Sequence, residues 1–148
     1  MPEPRIRPLA LCVFHHAGKI LVNVFEDAVT RQTLYRPLGG GIEFGETGSA
    51  AIAREIDEEL GQPINDIRLL GTLESLFVHD GKPGHEIVLV FDATFADTAL
   101  YAQPWLDGHE SDGARFRAKW CDSSSFSADT PLVPKGLAEL LKGLSLLD

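Results

Sequence analysis

The hydrophobic positions of this chain fall into short runs separated by turn residues, and the period of each run suggests an element. Pro8 to Phe14 is almost continuously apolar, which predicts a largely buried strand. His15-His16-Ala17-Gly18 turns the chain, and Lys19 to Phe25 returns as a second strand with a β-branched and aromatic bias. Thr33 to Arg36 is a short extended piece leading to Gly39, Gly40 and Gly41, which read as a loop free to adopt positive φ. A helix is expected over roughly Thr47 to Leu60. Thr47 or Ser49 can cap it, Gly61 stops it, and Pro63 follows two residues later.

Ile67 to Leu73 and Ser75 to Val78 read as further strand. The five residues from Asp80 to Gly84 have turn composition. His85 to Phe95, with Ile87, Leu89 and Phe91 alternating against Val88 and Val90, is the longest strand candidate. Ala96 to Gly113 is expected to be a polar loop and Arg115 to Cys121 another strand. Leu137, Leu140, Leu141 and Leu144 recur at helical spacing, so Pro134 to Leu147 is expected to pack on the sheet as a C-terminal helix. Strands mixed with two helices predict an α+β fold, an α/β/α sandwich with a mixed sheet between helices. Its 148 residues suit one domain over 1–148.

Composition narrows the function. At 44% hydrophobic and 24% charged, the chain is neither disordered nor fibrous. Its 13 Lys and Arg stand against 22 Asp and Glu, a net charge of −9. That balance argues against nucleic acid or an anionic membrane as a partner. A polyanionic substrate would need a bridging cation. Cys12 and Cys121 are far apart and lack metal-ligand spacing, so two buried reduced thiols in a cytoplasmic protein are expected. Met1-Pro2-Glu3-Pro4-Arg5 has no signal-peptide pattern, and no apolar run approaches the roughly 20 residues that span a bilayer.

The first helix carries the chemistry. Glu55, Glu58 and Glu59 fall within an arc of about 100° on one face. Ile52, Ala53, Ile56 and Leu60 occupy another face. Three carboxylates close together repel one another, and a hard divalent cation removes that repulsion. An ordinary solvated acidic face is the competing reading. The surrounding residues change the weighing. Gly40, Glu46, Arg54-Glu55-Ile56, Glu58-Glu59 and Gly61 resemble the Nudix box, Gx5Ex7REUxEExGU with U a bulky aliphatic. Each fixed position matches except the last, where Gln62 stands and Ile64 follows two positions on.

The resemblance implies a Nudix fold and hydrolysis of a phosphoanhydride bond in a nucleoside diphosphate linked to another moiety, with Mg²⁺ or Mn²⁺ as cofactor. It implies Glu55, Glu58 and Glu59 as metal ligands, with a Gly40 carbonyl able to complete the shell. Glu58, Glu59 or a glutamate outside the box takes the proton of the attacking water. Arg54 orients a neighbouring glutamate or contacts phosphate, and Glu46 binds water, metal or substrate just ahead of the helix. Relatives add an acidic ligand from a later strand or loop; Glu86 is preferred here and Glu110 is the alternative. Arg36 is a candidate for phosphate. Glu74 and Phe77 are candidates for a base or sugar, with core packing the preferred reading of Phe77. His85 could donate to phosphate or cap the preceding turn, the cap being the preferred reading; Trp120 reads as packing, while Trp105 could stack on a base or join a dimer contact. Family markers for particular substrates are missing. Gln103-Pro104-Trp105 resembles the NADH-pyrophosphatase marker but lies too far from the box. The expected partner is a small nucleotide-type molecule, and dimers are frequent in the family, so a homodimer is an open expectation. The competing functions are a nucleotide-sensing module that does not cleave, and isoprenoid diphosphate isomerisation, which would call for a catalytic cysteine.

Overall fold

The computed structural model describes residues 3–148, so the Met1-Pro2 part of the N-terminal reading lies outside the described residues. The strands form two sheets. In the first, β1 (Arg7–Val13) runs parallel to β7 (Lys82–Phe95) and antiparallel to β5 (Leu38–Gly41), and β6 (Ile64–His79) closes the far edge antiparallel to β7. In the second, β3 (Lys19–Glu26) pairs with β2 (His15–His16), β4 (Thr33–Arg36) and β9 (Arg115–Cys121), and β9 pairs with β8 (Trp105–His109).

The continuous apolar run in β1 has a direct structural cause. Ala10 and Cys12 face one core with Phe14, Ile52 and Ile56, under helix α1 (Gly48–Leu60). Leu9, Leu11 and Val13 face a second core with Val88, Val90, Leu137 and Leu141, under helix α2 (Leu137–Gly143). A strand buried on both faces has no polar position to alternate. The layers therefore form the expected α/β/α sandwich around a mixed sheet.

Several expectations are corrected. The five-residue turn is only Asp80-Gly81, whose φ values of 53° and 77° suit a tight hairpin of mirror-image turn type. Lys82-Pro83-Gly84 belongs to β7, so His85 lies inside a strand and caps no turn. The strand pieces around Glu74 are one strand. At 16 residues β6 is longer than the 14-residue β7, and bulges at Asn65/Arg68 and Leu69/Gly71 blur its alternation in the sequence. The loop from Ala96 to Gly113 contains a 3₁₀ turn (Thr98–Ala102) and β8. The three glycines form strand β5 rather than a loop. The C-terminal helix shrinks to seven residues because Gly136 begins it in a left-handed conformation and Ser145 turns left-handed just after it. Leu137 and Leu141 are buried and Leu140 packs over Gly71, but Leu144 is exposed. Cys12 is buried as expected, whereas Cys121 is half-buried; both are free thiols that burial pushes up in pKa. No helix is long and apolar enough to cross a membrane.

Candidate active site

Local chemistry fixes α1 at both ends. The Thr47 hydroxyl accepts from the Ala50 N–H at 3.1 Å, and Gly61, at φ 66°, donates its N–H to the Asp57 carbonyl at 2.8 Å. Ile64 then joins the α1-side core, supplying the aliphatic contact that Gln62 lacks. The buried positions of the helix are Ala51, Ile52, Ile56 and Glu59, with Ala53 and Leu60 only partly buried. The expected carboxylate face is thus split. Glu58 is half-exposed, Glu55 is mostly covered, and Glu59 is 8% exposed on the core side.

Arg54 organises the exposed part. Its Nε and Nη2 donate to the two oxygens of Glu46, each at 2.8 Å. Nη1 donates to Glu55 at 2.9 Å and reaches Glu58 at 3.3 Å, and Nη2 also donates to the Gly41 carbonyl at 3.0 Å. The guanidinium holds the Glu46 carboxyl down at about 2, helped by the Glu43 N–H. Both Glu46 oxygens are therefore engaged within the protein. The same carboxylates push the Arg54 guanidinium further up.

Gly40 leaves room for a glutamate and Gly39 leaves room for backbone. A Cβ on Gly40 would lie 2.6 Å from the Glu55 carboxylate, so the missing side chain is the room that Glu55 occupies. A Cβ on Gly39, at φ 148°, would strike the Ala10 carbonyl at 2.0 Å. The Gly39 N–H favours the ionised form of Glu59. Even so, burial first, then the charges of Glu110 and Glu55, push Glu59 up to about 8, with Arg36 and the Gly39 N–H pulling the other way.

Glu110 extends from the tip of the β8–β9 hairpin, with Asn23 donating to it at 3.4 Å. Glu86 pairs instead with Arg7 at 3.7 Å and is not among the charges acting on Glu59. The sequence preference for Glu86 rests on its place in a strand, and the hairpin that presents Glu110 is not visible in the apolar pattern. Both residues line a cavity of about 640 Å³. Arg7, Arg36 and Lys135 give its wall positive charge, and Phe25 and Phe77 give it aromatic surface. The Arg36 guanidinium lies 6.0 Å over the Phe25 ring. Phe77 is not in the core: it is 38% exposed, and its ring covers Gly84. Glu74 is exposed and not part of this wall, to which its neighbour Ser75 contributes instead. Trp120 packs on the α1-side core, as expected, while Trp105 opens β8 under the Arg117 guanidinium.

One cluster escaped the sequence reading. Asp27, 4% exposed, accepts from the backbone N–H of Val29, Thr30 and Asp80, and lies 3.4 Å from His79. Those N–H groups, Thr30 first, hold its carboxyl at about 2. Asp27, His79 and Asp80 form, among the described residues, the set of potential metal-ligating groups whose atoms all lie within 4.8 Å of one another. Because backbone donors already occupy both Asp27 oxygens, the cluster works as a clasp between two loops.

The family profile described as a Nudix domain matches residues 8–142. A solved MutT Nudix hydrolase from Burkholderia pseudomallei has the same fold, with TM-score 0.62 and 19% identity over 92% of this chain and 96% of its own. A Nudix family member from Chromobacterium violaceum gives 0.61 and 21% over 98% and 80%. The NAD-capped RNA hydrolase NudC of Mycobacterium tuberculosis is 27% identical over 143 residues, 91% of this chain and 42% of that protein, so the chain spans less than half the length of this relative. With the profile running through most of both sheets and both helices, and the box residues gathered along α1 and β5, the chain belongs to the Nudix family.

Proposed function

We propose that this protein hydrolyses a phosphoanhydride bond in a nucleoside diphosphate linked to a second moiety, in a reaction that depends on Mg²⁺ or Mn²⁺. The observation that carries the reading is Glu59. A buried carboxylate acted on by the charges of Glu55 and Glu110, with Arg36 the opposing cation, has excess negative charge, and Glu110 and Arg36 connect it to a cavity that admits a small molecule. Hard oxygen donors with unbalanced charge fit a divalent cation. Glu55, Glu58 and Glu59 would hold it, with the Gly40 carbonyl available beside Glu55. When bound, such a cation polarises phosphoryl oxygens and makes an attacking water more acidic.

The other roles belong to the protein alone. Arg54 positions Glu55 and Glu58 and keeps Glu46 ionised. Arg36, Arg7 and Lys135 attract the phosphates of the substrate, and Glu86 keeps Arg7 turned toward the cavity. Phe25 and Phe77 offer apolar surface to a base or sugar. The water proton passes to Glu58, Glu59 or Glu110. Because both cores share β1, we take 1–148 as one domain, working in the cytoplasm.

The NudC relative directs the choice of substrates. The panel comprises ADP-ribose, NADH, dinucleoside polyphosphates, nucleotide sugars and an NAD-capped oligoribonucleotide, each with Mg²⁺, Mn²⁺ or EDTA. At least one compound should turn over only with metal, and Glu58→Gln and Glu59→Gln should each reduce kcat/KM by about 100-fold or more. Turnover in EDTA, or full activity of both variants, would sink the mechanism. Tight binding without cleavage across the panel would instead make the protein a sensor.

A further inference from the structure

The net charge of −9 conceals a local reversal on the second sheet. Residues alternate along β9, so Arg115, Arg117 and Lys119 are exposed on one face while Ala118 is buried on the other. The register with β8 sets Trp105 beside Lys119, Asp107 beside Arg117 and His109 beside Arg115. All six are exposed. This face therefore carries three fixed cations and a single carboxylate, and that carboxylate, Asp107, pairs with Arg117 at 3.3 Å. Trp105 is 43% exposed, and the Arg117 guanidinium stacks 4.4 Å from its ring centroid.

From Arg115 to Lys119 the cations extend about 13 Å at ~3.3 Å per residue. A row of charge with a stacked Arg–Trp pair offers what a single-stranded nucleotide chain needs, namely phosphate partners and flat surfaces for bases. The row also starts at the right place. His109 is followed at the hairpin tip by Glu110, whose charge acts on Glu59. A chain attached to a nucleotide held at the glutamates can pass over this tip onto the outer face. We propose that the outer face of the β8–β9 hairpin binds the single-stranded RNA portion of a nucleotide-capped substrate. This rests on the hydrolase reading above and names its substrate class.

The test separates the two claims. A fluorescent oligoribonucleotide carrying a 5′ dinucleotide cap is titrated by anisotropy in EDTA, where no cleavage occurs. Turnover of the uncapped dinucleotide alone is measured in parallel with Mg²⁺. The triple variant Arg115→Ala, Arg117→Ala, Lys119→Ala should bind the oligonucleotide at least 10-fold more weakly, with unchanged dinucleotide turnover. Its plot of log affinity against log salt should be shallower by about 2, since each single-strand phosphate contact contributes about −0.7 to the slope. Asp107→Asn should bind several-fold more tightly, a gain that misfolding cannot imitate. Equal affinity in wild type and triple variant, or no binding by wild type at low salt, overturns the RNA site. Lack of dinucleotide turnover by wild type counts against the hydrolase reading alone, because the anisotropy is read without metal.

Discussion

At the scale of single residues, the site depends on what two glycines omit. Both precede the box helix; Gly40 was legible in the motif and Gly39 only as part of a glycine run, and the reason for neither was visible. Gly40 leaves space for a carboxylate, whereas Gly39 leaves space for backbone. The substitutions should therefore behave differently. Gly40→Ala puts a methyl 2.6 Å from the flexible end of Glu55, which can swing aside. The fold should survive, with Tm within a few degrees of wild type, while kcat/KM falls about 10-fold or more as Glu55 is displaced. Gly39→Ala meets the Ala10 carbonyl at 2.0 Å with φ 148°, so it should fail to give a cooperative melt. Thermal melts followed by circular dichroism, with kinetics on the soluble variant, check both; wild-type activity in Gly40→Ala would remove the reason given for that glycine. Arg54 was half-legible in the same way. Its place in the motif was plain, yet its pairing with Glu46, Glu55 and Glu58 depends on how β5 approaches the helix, which no local spacing records.

At the scale of elements, the sequence was clear where burial was regular. The run in β1 and the cap and stop of α1 announced themselves. Strand β8 did not, because its inward positions are Leu106 and Gly108, and a glycine gives no apolar signal. Gly108 is needed because a Cβ there would press on the Glu59 carbonyl at 2.8 Å. The missed strand hid how Glu110 is presented and how Trp105 and Asp107 stand beside the basic row of β9. The Asp27 clasp was also unreadable, since it joins the β3–β4 loop to the β6–β7 hairpin tip across 53 positions. Its energetics can be tested by pH. Asp27 titrates at about 2 when folded against an ordinary value of 3.8. A depressed carboxylate contributes stability that is present above 3.8 and is lost as pH falls through about 2. Asp27→Ala should melt lower than wild type at pH 7, and the difference should shrink across that acid window. A variant melting like wild type at pH 7 would show that the clasp holds nothing.

At the scale of the whole molecule, the excess acid and the cation argument become one question about stability. Glu59 has a folded value of about 8 against an ordinary 4.5, so the folded state favours its protonated form. The sign is opposite to that of Asp27. The contribution of Glu59 is fully present below 4.5 and is lost as pH rises through about 8. A tenfold change in proton affinity corresponds to about 1.4 kcal/mol, so the loss is on the order of a few kcal/mol. In EDTA the melting temperature should therefore decline between pH 4.5 and 8. A bound divalent cation favours the ionised form and should reverse the decline. At a concentration 100 times its Kd it adds about 2.7 kcal/mol, felt at pH 8 and nearly absent at pH 5, where the proton competes for Glu59. Glu59→Gln separates this from a general effect of salt. Lacking the charge, it should melt above wild type at pH 8 without metal, show a flatter pH dependence, and gain little from Mg²⁺. Melts at both pH values, with and without Mg²⁺, give the comparison directly. If metal-free wild type is the more stable at pH 8, the buried charge is already balanced within the protein. The requirement for a cation would then have to arise from the substrate phosphates rather than from α1.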